Sequence, residues 1–111
     1  MKLVVAMIQP QQLPAVKLAL QEAKFANLTC TNVLGSVPNR EEHLRFRGLD
    51  HEITLFQKVR VEIAIDDHQV DALVEALSDG GNRSGGYGII FVTELQDCVT
   101  IATGAHGLGE S

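Results

Sequence analysis

Val59 to Ile65 alternates without a break: Val59, Val61, Ile63 and Ile65 are apolar, with Arg60, Glu62 and Ala64 between them. A period of two puts the first set on one face of a strand and the second set on the other. The chain must therefore build a sheet with one face in a core and the other on water or a second subunit. Few elements are available to cover it. Lys2 to Gln9 is β-rich and apolar on both faces, as suits a central strand, and Pro10 stops it. Leu13, Val16 and Leu20 follow at helical spacing, widened by Ala19 and Ala23, with Lys17, Gln21, Glu22 and Lys24 opposite. Pro14 fits the first turn of that helix. Leu28 to Leu34 alternates threonine with apolar residues and predicts a second strand. After Ile65, Asp66 or Asp67 is placed to cap a helix whose stripe is Val70, Leu73, Val74 and Leu77. Asp79-Gly80-Gly81 is placed to end it. Ile89 to Leu95 predicts a fourth strand, Val99 and Ile101 a short fifth one, and 104–111 a mobile tail.

The order β-α-β-β-α-β defines an α+β fold, the ferredoxin-like sandwich of an antiparallel four-stranded sheet with both helices on one face. Its bare face would carry Val4, Ala6 and Ile8 or their alternates, so it is partly apolar and calls for a homo-oligomer with closed symmetry. With 111 residues the chain is one domain, and 45% hydrophobic content is ordinary for a soluble globule. A net charge of −5 argues against nucleic acid, which needs a basic surface. No apolar run reaches the length of a membrane span, and the N-terminus lacks the flanks of a signal peptide. Cys30 and Cys98 sit in apolar strand-like runs and read as buried thiols of a reducing cytosol.

One stretch does not fit a minimal sandwich. Gly35 to Lys58 separates two strands that a hairpin would join with about 2–5 residues, and its middle is charged. Such an insertion reads as the part that meets a partner, presented by the rest of the fold.

Several stretches together resemble the PII signal-transduction family, trimeric regulators of nitrogen and carbon metabolism. They are Met1 to Pro10, Leu28-Thr29-Cys30-Thr31-Asn32-Val33-Leu34-Gly35, Phe46-Arg47-Gly48, Lys58 to Ile63, Val70-Asp71, Gly86-Tyr87-Gly88-Ile89-Ile90-Phe91-Val92 and Thr103-Gly104. The resemblance makes 35–58 the family's T-loop, 80–88 its B-loop and 104–111 its C-terminal tail. It implies a cytoplasmic homotrimer that senses ATP, ADP, AMP or a related anion in clefts between subunits. It also implies a target protein, a transporter or metabolic enzyme, held by the T-loop, with any membrane association only through that partner. A nucleotide's adenine and ribose would meet Met7, Thr29, Gly35 and the Gly86–Gly88 backbone, with Lys58 beside them and Tyr87 able to stack on a ring. The partner would meet Arg45, Phe46, Arg47, Gly48 and His51.

The chain departs from the family pattern where phosphates would sit. Ile89 stands where several members carry a lysine, and Thr100 and Ala102 where they carry arginines. A cleft without compensating cations binds a phosphate chain poorly. Arg40, Arg45, Arg47 and Arg83 are other sources of positive charge. His51 replaces the modifiable tyrosine, which rules out uridylylation there. The runner-up reading is a degenerate trimer, akin to the copper-tolerance CutA proteins, that binds no nucleotide and responds to metal through His43 and His51 or acts constitutively. The glycines lack the Gly-Lys-Ser/Thr ending of a P-loop. No nucleophile–base pairing supports an enzyme, and Glu62 reads as an ion-pair partner of Arg60 or Lys58.

Overall fold

The strand marked by Val59–Ile65 starts earlier than its alternation suggests. In a computed structural model describing residues 1–36 and 54–109, this strand, β3, spans Phe56–Ile65. The other elements are β1 (Lys2–Ile8), α1 (Leu13–Glu22), β2 (Thr29–Gly35), α2 (Val70–Arg83) and β4 (Ile89–Glu94). The sheet order is β2-β3-β1-β4 with every neighbouring pair antiparallel. That is the ferredoxin-like arrangement, with both helices packed on one face.

Pairing register fixes which side chains meet the helices. Val4, Ala6 and Ile8 of β1 stand opposite Ile63, Val61 and Val59 of β3. All six are buried with Val16 and Leu20 of α1 and Leu73 and Leu77 of α2. The open face therefore carries the alternates, Leu3, Val5 and Met7, flanked by Ile89 and Phe91 of β4. Phe91 remains 49% exposed there. Arg60 and Glu62 project from the same face of β3 and pair with each other at 2.9 Å, as expected for Glu62.

Four expectations need correction. The helix after Ile65 does not stop at Asp79-Gly80-Gly81; α2 continues through both glycines to Arg83. Gly80 is there because α1 lies against it: an added Cβ would fall 2.7 Å from the Val16 Cα and 3.0 Å from the Ala15 carbonyl oxygen. Neither Asp66 nor Asp67 caps α2 through its side chain. Asp67 instead takes the N-terminal amine at 2.9 Å and Lys2 at 3.0 Å. The cysteines are not core thiols. Cys30 is exposed on β2, an edge strand beyond the helices, and Cys98 is half-buried beside the Met1 sulfur at 3.7 Å. Finally, no fifth strand forms at Val99 and Ile101 among the described residues. Val99 and His106 form a single antiparallel bridge, and the turn is closed by Thr100 N–H to Ala105 O and Gly107 N–H to Cys98 O. No helix among the described residues is long and apolar enough to cross a membrane.

The two helical glycines should respond oppositely to alanine. Gly81 has space, its nearest neighbour being Gln12 Nε2 at 3.6 Å. Gly81→Ala should stabilise by up to about 1 kcal/mol through helix propensity. Gly80→Ala should destabilise by about 1–3 kcal/mol because the overpacking outweighs that gain. Urea unfolding of both variants checks this, and equal midpoints would refute the close helix contact.

The Asp67 cluster gives a pH signature. The N-terminal amine first, then Lys2, hold the Asp67 carboxyl below its ordinary range. Glu94 first, then Asp67, hold the Lys2 amine above its ordinary value. A depressed acid stabilises the fold above its unfolded pKa, about 3.9, and that contribution is lost as pH falls through the lower folded value. A raised amine contributes fully below about 10.4, and the contribution is lost as pH rises through the higher folded value. Urea midpoints should therefore sag at both extremes, and Asp67→Asn should make the acid limb shallower. An acid limb identical in the variant would remove Asp67 from the explanation.

Candidate functional site

The loop after α2 has an unusual backbone that must be held from outside. Gly85 and Gly86 both have positive φ, at 72° and 94°, a region glycine enters without steric cost. The holding groups come from the connection between β1 and α1. Gln12 is 2% exposed. Its Nε2 donates to Gly81 O at 3.0 Å and to Gly85 O at 3.1 Å, while its Oε1 accepts from Gln9 N–H at 2.7 Å. The Gln9 Oε1 in turn accepts from Tyr87 N–H at 3.2 Å, and a side chain on Gly86 would run into that oxygen. Two glutamines thus set the path of 85–87. Neither was singled out in the sequence; the available signal was the Gln9-x-x-Gln12 spacing of a capping box after a strand.

At this same end of the sheet, three of the expected site residues converge. Gly35 closes β2 opposite Phe56, and Lys58 pairs with Val33. The Lys58 stem crosses Gly35, where an added Cβ would approach Cδ to 3.2 Å. Lys58 is 7% exposed and donates to Ser36 O at 2.8 Å. The Tyr87 ring stands over its ammonium, 5.7 Å from Nζ to the ring centroid. Gly88 lies against the Met7 carbonyl at a would-be Cβ distance of 3.4 Å, which brings Met7, Gly86, Tyr87 and Gly88 together. Two clefts flank this point. One, of about 320 Å³, is lined by Ile8, Gln12, Asn82 and Tyr87; the other, of about 580 Å³, by Pro10, Leu34, Gln57 and Lys58.

Other candidates are elsewhere. Thr29 begins β2 and pairs with Glu62, so it sits about 20 Å along the strand from Gly35. Arg83 is turned outward between the helices, donating to Asp79 at 2.8 Å and Glu22 at 3.0 Å. Glu22 first, then Asp79, hold its guanidinium above the ordinary value. Arg40, His43, Arg45, Phe46, Arg47, Gly48 and His51 lie outside the described residues. Among the described residues no group of three or more His, Cys, Asp or Glu side chains could hold a metal. His106 is engaged by Asp97 at 3.0 Å.

The geometry is that of a ferredoxin-like sheet whose loop bases meet over a buried lysine and a glycine-rich turn. The sequence places it in one family: a family model described as "Nitrogen regulatory protein P-II" matches residues 1–105, and the chain belongs to that family. It is 34% identical to nitrogen regulatory protein GlnK1 of Methanosarcina mazei, over 96% of this chain and 94% of that protein. It is 36% identical to nitrogen regulatory protein P-II of Nostoc punctiforme over 94% of each, and 34% identical to GlnK2 of Haloferax mediterranei over 96% of this chain and 87% of that one. PII proteins are regulatory signalling proteins, not enzymes, and the family binds ATP, ADP and 2-oxoglutarate as effectors. Its members are trimers that act on targets such as transporters and enzymes.

The glutamine clamp is testable apart from any ligand. Gln12→Met keeps volume but removes the buried hydrogen bonds, so it should cost about 1–3 kcal/mol. Gln9 N–H, deprived of its acceptor, should exchange faster with solvent by NMR. Unchanged exchange and stability would show that the loop is held by other means.

Proposed function

We propose that the chain is a cytoplasmic homotrimeric regulator of nitrogen or carbon metabolism. It takes an adenine nucleotide or a related anion at the bases of its two loops and controls a target protein, a transporter or metabolic enzyme, through 35–58. The observation that carries this reading is the convergence of Gly35, Lys58 and Tyr87 at one end of the sheet, with the lysine buried and its charge directed at the loop bases. The exposed apolar side chains of the open face, Ile89 and Phe91 among them, support assembly with further copies. Assembly also matters to the site. A ligand touching both Gly35 and Thr29 would draw them from two subunits, since one protomer holds them at opposite ends of β2.

Charge sets the ligand class. Arg60 is tied to Glu62 and Arg83 to Glu22 and Asp79, which leaves Lys58 as the cation that the described residues place at the loop bases. The positions held by Ile89, Thr100 and Ala102 add no positive charge. A ligand of modest charge with a flat ring suits this site better than a full triphosphate.

Calorimetry with ATP, ADP, AMP and 2-oxoglutarate, together with a light-scattering mass, tests the reading. Lys58→Met should weaken binding of the preferred nucleotide about 10- to 100-fold, the value of a charge-assisted hydrogen bond. A monomeric mass, or equal affinity in the variant, would overturn it.

A further inference from the structure

Lys58 is a strand residue whose side chain serves the loops. Its stem passes over the bare α-carbon of Gly35, and its ammonium ends on the carbonyl of Ser36, the last described residue before 37–53. A single hydrogen bond to a carbonyl leaves a long, many-jointed lysine side chain loosely held. The second constraint is the Tyr87 ring, whose negative face attracts the ammonium. The ring is itself delivered from a fixed position. Tyr87 N–H is held by Gln9, and Gly85 O, two residues earlier, by Gln12.

We propose that Tyr87 is a positioning residue: its ring pins the Lys58 ammonium on the Ser36 carbonyl, so that the glycine-rich turn and the base of the long segment report to each other within one chain. This rests on the reading above that a ligand enters at this end of the sheet, and it adds the route by which contact at one loop reaches the other. An anion that engages Lys58, or a flat ring that displaces Tyr87, breaks the same contact and takes the donor away from Ser36. The ligand then favours one arrangement of the loop base only through that difference in contacts.

The test uses NMR of the full chain without ligand, comparing the wild type with Tyr87→Phe, Tyr87→Leu and Lys58→Met. The ring current should shift the Lys58 ε-methylene protons upfield in the wild type and in Tyr87→Phe, and the shift should vanish in Tyr87→Leu. The Ser36 carbonyl carbon should move in Tyr87→Leu and in Lys58→Met but hold its place in Tyr87→Phe. Lys58 and Ser36 signals unmoved in Tyr87→Leu would overturn the proposal. So would a Tyr87→Phe variant that behaves like Tyr87→Leu, because the hydroxyl rather than the ring face would then matter. The chain has one tyrosine and no tryptophan, so its tyrosine emission reads Tyr87 alone. On titration with magnesium-ATP, that emission and the Ser36 carbonyl should change together. Calorimetric ATP binding with a silent Ser36 would overturn the route between the loops. No binding of ATP, ADP, AMP or 2-oxoglutarate, with the ring-current pattern intact, would remove the ligand reading while supporting the pin.

Discussion

The carboxamide of Gln12 holds three backbone groups from segments that are distant in sequence, and the site depends on it. An uncharged primary amide carries both a donor and an acceptor in a single plane. Gln12 uses both: it accepts from its own turn and donates to the last part of α2 and to the loop beyond. Buried as it is, its side chain is satisfied, and among the described residues no buried side-chain nitrogen or oxygen lacks a partner. An apolar residue would fill the same space and leave the loop backbone without partners. Gln9 adds an acceptor one step further out, its Oε1 taking the Tyr87 N–H. The glycine-rich turn therefore has a defined path although most of its residues are exposed.

The strands were legible because burial on one face imposes a period that neighbouring elements cannot hide. Val59, Val61, Ile63 and Ile65 all reach the core, as their spacing requires. The end of α2 was not legible. Paired glycines are a local stop signal, but the packing of α1 demanded a residue without a side chain at Gly80, and tertiary contact overrode local preference. The cysteines misled for a related reason: an apolar run says that a strand exists, not that it lies in the middle of the sheet. Within the site, Gly35, Lys58 and Tyr87 came from family resemblance, and the structure joins them. Gln9 and Gln12 are harder to read because glutamine is ordinarily a surface residue, and only their capping-box spacing after a strand hints at their role. The separation of Thr29 from Gly35 was implicit in the strand itself, whose length sets the two apart.

Lys58 differs from the other described cations of the sheet, and from Arg83 of α2, in what it ends on. Lys2, Arg60 and Arg83 each end on a carboxylate. Lys58 ends on a carbonyl and a ring face, both of which orient an ammonium without neutralising it. Among the described residues no carboxylate pairs with Lys58, in a protein that is acidic as a whole. Exposed ion pairs such as those of Arg83 contribute little to stability. What they do here is keep an arginine only a few residues before the glycine-rich turn from facing it.

The close seating of Gly80 on Val16 also limits how the molecule can move. Packed helices usually accommodate change by small shear displacements along their contact. Here the backbone of one helix is seated against the backbone of the other, with no flexible side chain between them to absorb a slide. A slide of α1 past α2 would have to break that contact first, so the pair resists shear at this point. For the function proposed above, that favours a rearrangement at the rim of the sandwich over a deformation carried through it.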